Sequence, residues 1–101
     1  MNIEKWNEAD GTLTESALCR KLEARGYKVH RYSYPPGTYF PEHTHYVDKI
    51  DAVLSGRFRM IVEGREMILE AGDCVNVPRG TVHSAEVVGE EPVVSLDATK
   101  D

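Results

Sequence analysis

After Gly26 the chain is interrupted at short, regular intervals, and this punctuation restricts its fold more than any other feature. The breaks fall at Pro35-Pro36-Gly37, Gly56, Glu63-Gly64-Arg65, Ala71-Gly72-Asp73, Pro78-Arg79-Gly80 and Gly89-Glu90-Glu91-Pro92. Between them lie YKVHRYSY, KIDAVLS, RFRMIVE, EMILE, CVNVP, VHSAEVV and PVVSLDA. The periodicity of these segments is that of strands. Seven or more strands at spacings of about eight to twelve residues predict an all-β sandwich or barrel. A parallel sheet would need a crossover helix between strands, and this part of the chain offers none.

One helix is expected, ahead of the strands. In TLTESALCRKLEARG, residues 12–26, Thr12 and Glu15 have capping-box spacing, Leu18 and Leu22 lie four apart on one face, and Gly26 is placed to end the helix. Residues 1–11 are expected to form an arm that packs the Trp6 indole on the domain. The predicted organisation is therefore an arm and helix over residues 1–26, packed on a small antiparallel β-barrel or jelly roll over 27–101. A chain of 101 residues supports a single core.

Charge excludes several partners. The 12 basic residues are scattered and outnumbered by 17 acidic ones, so a nucleic acid would be repelled. No apolar stretch approaches the ~20 residues of a membrane span, and MNIEKWNEAD lacks the pattern of a signal peptide. A cytoplasmic protein with no nucleic-acid or membrane partner is expected. Cys19 and Cys74 lack CxxC spacing and read as free thiols.

The chemistry lies in two segments. In the first, Gly37 is followed by His43-Thr44-His45 and later by Gly56; two histidines one residue apart on a strand present their rings to the same face. In the second, GDCVNVPRGTVH, a Gly-Asp turn starts a strand, Pro78 and Gly80 bend the chain, and His83 opens the next strand. Taken together the two segments resemble the paired motifs of the cupin superfamily, small β-barrels that hold a metal at the barrel centre. The resemblance spans roughly residues 32–98 and implies that His43, His45 and His83 ligate a divalent transition metal: zinc, iron, nickel, copper or manganese. Imidazole donors suit such ions, and a three-histidine site leaves positions open for catalysis.

Two positions depart from the family pattern. Val87 stands where the second motif often ends in asparagine, and Lys49 stands where the first motif usually has a ligating glutamate. An ammonium about 6 Å from a divalent ion, at an effective dielectric near 20, is opposed by roughly 5 kcal/mol. An inward Lys49 therefore needs a carboxylate partner, for which Asp51, Asp48 and Glu42 are candidates, or a neutral amine, or a path out to solvent. Asp48 is also a candidate fourth ligand. Lys49→Glu is expected to bind divalent metal more tightly and small carboxylates less well.

Other residues read more simply. His30 is a partly exposed strand residue, Cys74 a small core residue, and Glu86, Glu90 and Glu91 a solvated edge. Tyr32, Tyr34, Phe40, Phe58 and Met60 belong to the core or line an apolar cavity. The function expected is that of a mononuclear metal-dependent enzyme, such as a dioxygenase, isomerase or decarboxylase, acting on a small organic molecule. Lys49 would be its catalytic residue, supplying charge or a proton to a carboxylate or enolate. The alternative is a non-enzymatic module that binds or senses a small ligand. A homodimer is expected, because cupins commonly pair and YKVHRYSY carries large residues on both faces.

Overall fold

A computed structural model describes residues 2–101. The elements run β1 (Ile3–Glu4), a turn of 3-10 helix (Glu8–Asp10), α1 (Glu15–Ala24), β2 (Lys28–Tyr34), β3 (Tyr39–His43), β4 (Asp48–Ser55), β5 (Arg57–Val62), β6 (Arg65–Leu69), β7 (Cys74–Val77), β8 (His83–Val88) and β9 (Val93–Lys100). All seven strands expected from the punctuation are present. They form two antiparallel sheets, ordered β1-β7-β4-β9-β2 and β3-β8-β5-β6, in the jelly-roll form of the expected all-β architecture. No helix among the described residues is long and apolar enough to cross a membrane.

Strand alternation divides the five-stranded sheet into two apolar faces. Val53, Val75, Val77 and Val93 point inward and meet Phe58, Met60, Val62, Leu69, Ala85 and Val87 of the other sheet. Ile50, Ala52, Cys74, Leu96 and Ala98 point outward and are covered by Leu18 and Leu22 of α1. Full burial of these two leucines contributes about 1.5–3 kcal/mol each. Cys74 is thus a core residue beneath the helix, and both cysteines are free.

The helix begins later than its sequence suggests. Its N-cap is Thr14, whose hydroxyl accepts from the Ala17 N–H at 3.0 Å, so the expected Thr12–Glu15 capping box is not formed. The N-terminal arm is also more ordered than an arm implies. Ile3 and Glu4 pair with Val75 and Cys74, adding an edge strand, and the Trp6 indole N–H donates to the Gly11 carbonyl at 2.9 Å. Strand β3 went unforeseen because Pro41 cannot donate to a ladder. It is tolerated here because β3 is an edge strand whose register shifts between Phe40 and His43.

Gly56 joins β4 to β5 with φ of +83°, and a Cβ there would collide with the Pro92 carbonyl oxygen. Strain at positive φ and overpacking against backbone act together. Gly56→Ala is expected to destabilise the protein by about 2 kcal/mol or more in urea denaturation.

Candidate functional site

The inner faces of the two sheets are apolar at one end and polar at the other, where the histidines meet. His43 ends β3 and His83 begins β8, and the two are direct cross-strand partners. His45 lies beyond the end of β3, in the irregular segment before β4. The expectation of two histidines on one strand therefore needs correction: strand alternation positions His43 alone, and His45 is brought in by the loop. Ring centroids are 4.7 Å apart for His43–His45, 4.2 Å for His43–His83 and 5.1 Å for His45–His83. One nitrogen from each ring lies within 4.8 Å of the others.

A turn of the second motif holds the loop that carries His45. The Thr81 N–H donates to the Pro78 carbonyl at 3.2 Å, closing a turn over Pro78–Thr81, and the Gly80 N–H donates to the His45 carbonyl at 2.9 Å. Gly80 has φ of +78°, the left-handed conformation that glycine adopts without strain and that its place in this turn requires. The adjacent Arg79 N–H donates to Asp48 at 3.0 Å, and its guanidinium approaches the same oxygen at 3.4 Å. These bonds hold the Asp48 carboxyl below its ordinary pKa, the backbone N–H contributing most. Asp48 thus ties the two motifs together, and its carboxylate engages Arg79, outside the histidine cluster.

The electronic state of the rings follows from their partners. His43 Nδ1 lies 2.7 Å from the Pro41 carbonyl and His83 Nδ1 lies 2.9 Å from the Thr81 carbonyl. A carbonyl only accepts, so in both neutral rings Nδ1 carries the proton and Nε2 keeps its lone pair. His45 Nε2 is buried with no hydrogen-bond partner among the described residues. Burial, then the Lys49 charge and the neighbouring rings, pull His45 down to a pKa of about 4. Burial also lowers His83, against the effect of its bond to Thr81. His45 and His83 are therefore neutral at physiological pH, the state in which an imidazole can ligate a cation.

Lys49 points into the same cavity. Its ammonium lies 3.6 Å from Asp51 and 3.4 Å from Asp97. Burial works to lower its pKa, but the two carboxylates outweigh burial and hold it above the ordinary value, so the amine is charged. Of the partners considered from sequence, Asp51 is present and Asp48 engages Arg79. Asp97 was not foreseen. Its signal lay in β9, where Ser95 and Asp97 occupy alternate positions among Val93, Val94, Leu96 and Ala98, as Lys49 and Asp51 do in β4.

The cavity measures about 150 Å³. Tyr34, Phe40, Phe58, Met60 and Ala85 form its apolar wall, opposite the histidines and the Lys49 cluster. Tyr34 packs edge-on to Phe40, with centroids 4.9 Å apart, and stacks on Phe58 at 5.9 Å. Tyr32 stacks on Tyr34 but is 45% exposed and outside the cavity, and His30 is likewise exposed on β2. Glu86 takes part in a surface ion pair with Arg59, while Glu90 and Glu91 are exposed.

Known proteins place this architecture. The cupin domain family matches residues 30–99, a span that includes both histidine segments. No curated protein matches the chain. Among solved structures, the DMSP lyase DddQ from Ruegeria pomeroyi DSS-3 is 26% identical with a TM-score of 0.67, over 74% of this chain and 38% of the lyase. KdgF from Halomonas sp. is 20% identical with a TM-score of 0.61, over 74% of this chain and 86% of KdgF. A cupin protein from Bacteroides fragilis is 23% identical with a TM-score of 0.64, over 72% of this chain and 64% of that protein. This chain therefore spans well under half of the lyase it resembles. The family match across most of the chain and the agreement of fold lead to one conclusion: the chain belongs to the cupin domain family.

Proposed function

We propose that His43, His45 and His83 hold one divalent transition metal and that the protein is a metal-dependent enzyme acting on a small organic molecule. The observation that carries this reading is the state of the three rings. Two have Nδ1 anchored to carbonyls, the third has a buried Nε2 without a partner, and their donor atoms converge. Backbone carbonyls that fix the tautomer of a histidine are a recurrent support of metal ligands. When bound, the ion would act as a Lewis acid on an oxygen of the ligand. Likeness to a lyase of the same fold supports an enzyme over a passive module.

The chain's own residues define the rest of the chemistry. A cavity of about 150 Å³ is smaller than a drug-sized site and matches a ligand about the size of benzene. The apolar wall would receive the carbon skeleton, and Lys49 would face the polar end. Lys49 donates to Asp97 at 3.4 Å and is paired with Asp51 at 3.6 Å, which leaves ammonium protons for the ligand. Lys49 is thus a hydrogen-bond and proton donor, catalytic in this reading, already neutralised by its partners.

Loading the purified protein with zinc, iron(II), nickel, copper and manganese in turn, then offering small oxygen-bearing acids and esters, tests the proposal. One ion per chain and multiple turnover of at least one compound are the expected results. One-to-one ligand binding without turnover would favour a sensing or storage module, and failure to bind any of the metals would end the metal reading.

A further inference from the structure

The pocket places two carboxylates face to face. Asp51 of β4 and Asp97 of β9 are direct cross-strand partners, on the same inner face and both at the cavity. Like charges opposite one another in a sheet repel, and here the pair is removed from water: the Asp51 side chain is 7% exposed and that of Asp97 18%. A single ammonium, Lys49, stands by both. Two carboxylates and one ammonium leave one negative charge in excess, in a setting that disfavours it.

Ser95 adds a proton count. Its hydroxyl oxygen, fully buried, lies 3.1 Å from the Ala52 carbonyl and 3.0 Å from Asp97 Oδ1. A hydroxyl has one proton and a carbonyl can only accept. That proton can go to only one of the two oxygens, so an ionised Asp97 competes with the Ala52 carbonyl for it, whereas a protonated Asp97 can donate to Ser95 and leave the hydroxyl proton for Ala52.

We infer that Asp51 and Asp97 share one proton and, with Lys49 between them, form the acid–base station of this pocket, delivering that proton to a bound molecule through Lys49. The holding of the proton stands on the geometry of these side chains, while its delivery rests on the proposed function. The step balances. Lys49 gives a proton from its ammonium to a basic oxygen or carbanionic carbon of the ligand and becomes a neutral amine. The shared carboxyl proton then moves to Lys49, restoring the ammonium and leaving two carboxylates, and solvent reprotonates the pair after release. The ligand class is therefore a compact molecule with an oxygen function and a site that gains a proton during reaction, with its apolar side against Phe40 and Phe58.

The surrounding groups agree with this assignment. Burial pushes Asp51 up to about 6, the Lys49 charge opposes this, and the charge of Asp97 pushes Asp51 further up. An acid of that strength is suited to proton transfer near neutral pH. Tyr34 of β2 faces both carboxylates and is raised by burial and by their charges, so it stays neutral and does not compete for the proton. The remaining titratable groups at the cavity are His43, His45 and His83, and the hydrogen-bond and ion-pair partners of the two carboxylates, among the described residues, are Lys49 and Ser95.

Carboxyl carbon-13 NMR of aspartate-labelled, metal-free protein tests the inference across pH 3 to 9. One proton is expected to leave the pair near pH 6, read at the Asp51 resonance and sensed by that of Asp97, whereas an ordinary aspartate titrates near ~3.9. In Asp51→Asn the titration near pH 6 should disappear, and in Asp97→Asn its midpoint should fall, because burial still acts on Asp51 but the second carboxylate no longer does. Ser95→Ala is expected to lower the midpoint, because it removes an acceptor of the carboxyl proton; a rise would mean that Ser95 donates to an ionised Asp97. Two independent titrations in the ordinary range, a titration near pH 6 that survives Asp51→Asn, or a midpoint that Asp97→Asn leaves unmoved would overturn the sharing. Metal content is measured separately on the same samples. Loss of metal binding with the shared titration intact overturns the proposed function alone, and normal metal binding without the shared titration overturns this inference alone.

Discussion

His83→Ala is expected to leave the protein unable to retain a divalent metal at any pH, with affinity reduced by well over 100-fold. Removing a partner one step outside a metal's ligand set already costs about 10–100-fold, and His83 would be one of only three protein donors. The substitution also takes away the buried ring that is His43's cross-strand partner, so folding is followed separately by circular dichroism. Metal analysis of the wild type across pH gives the complementary result. From an unperturbed imidazole, metal loss is expected between roughly pH 6 and 5. Burial lowers both His45, to about 4, and His83, so protons compete less well and the loss should shift to lower pH. The same shift sets the pH dependence of the metal-free fold. An unfolded His45 binds a proton near pH 6.5 and the folded one near 4, so stability is complete above the former and declines as pH falls toward the latter. Full metal content in His83→Ala would refute the three-histidine assignment.

Lys49→Glu should destabilise the metal-free protein by about 3–5 kcal/mol, the range found when one partner of a buried ion pair is removed. From sequence this substitution looks like a gain, since it adds a ligand and removes a repulsion. The structure shows two carboxylates, Asp51 buried and Asp97 partly buried, that depend on the ammonium, and a glutamate would add a third. Crowded carboxyls retain protons, so their pKa values are raised in the folded state. Their stability contribution is then present at low pH and lost as pH rises, which makes the variant weakest above about pH 6. Urea denaturation at pH 5 and pH 8 measures this slope. The proposed gain in metal affinity remains testable, because an ion that binds only the folded variant returns stability by mass action. A Lys49→Glu protein as stable as the wild type at pH 8 would show that Lys49 does not hold Asp51 and Asp97 together.

Neighbours along the chain were enough to read part of this protein. Glycine and proline breaks delimited β2 and β4 through β9, Leu18 and Leu22 marked the buried face of α1, and the two spaced segments pointed to His43, His45 and His83. Tertiary structure decided what depends on residues meeting from afar. Pro41 argues locally against a strand, and only pairing with β8 and a register shift make β3 one. His45 looks like a strand neighbour of His43, yet the Gly80 N–H fixes its loop. Asp48 offers an acid beside the histidines, and Arg79, 31 residues away, takes it. Lys49 could be assigned Asp51 from period-two spacing, but Asp97 lies 48 residues further on. Local spacing fixes which face of a strand a side chain occupies, while the register between strands decides which charge stands opposite it. The charge balance of the cavity, and with it the chemistry of Lys49, therefore became visible only once β4 and β9 were aligned.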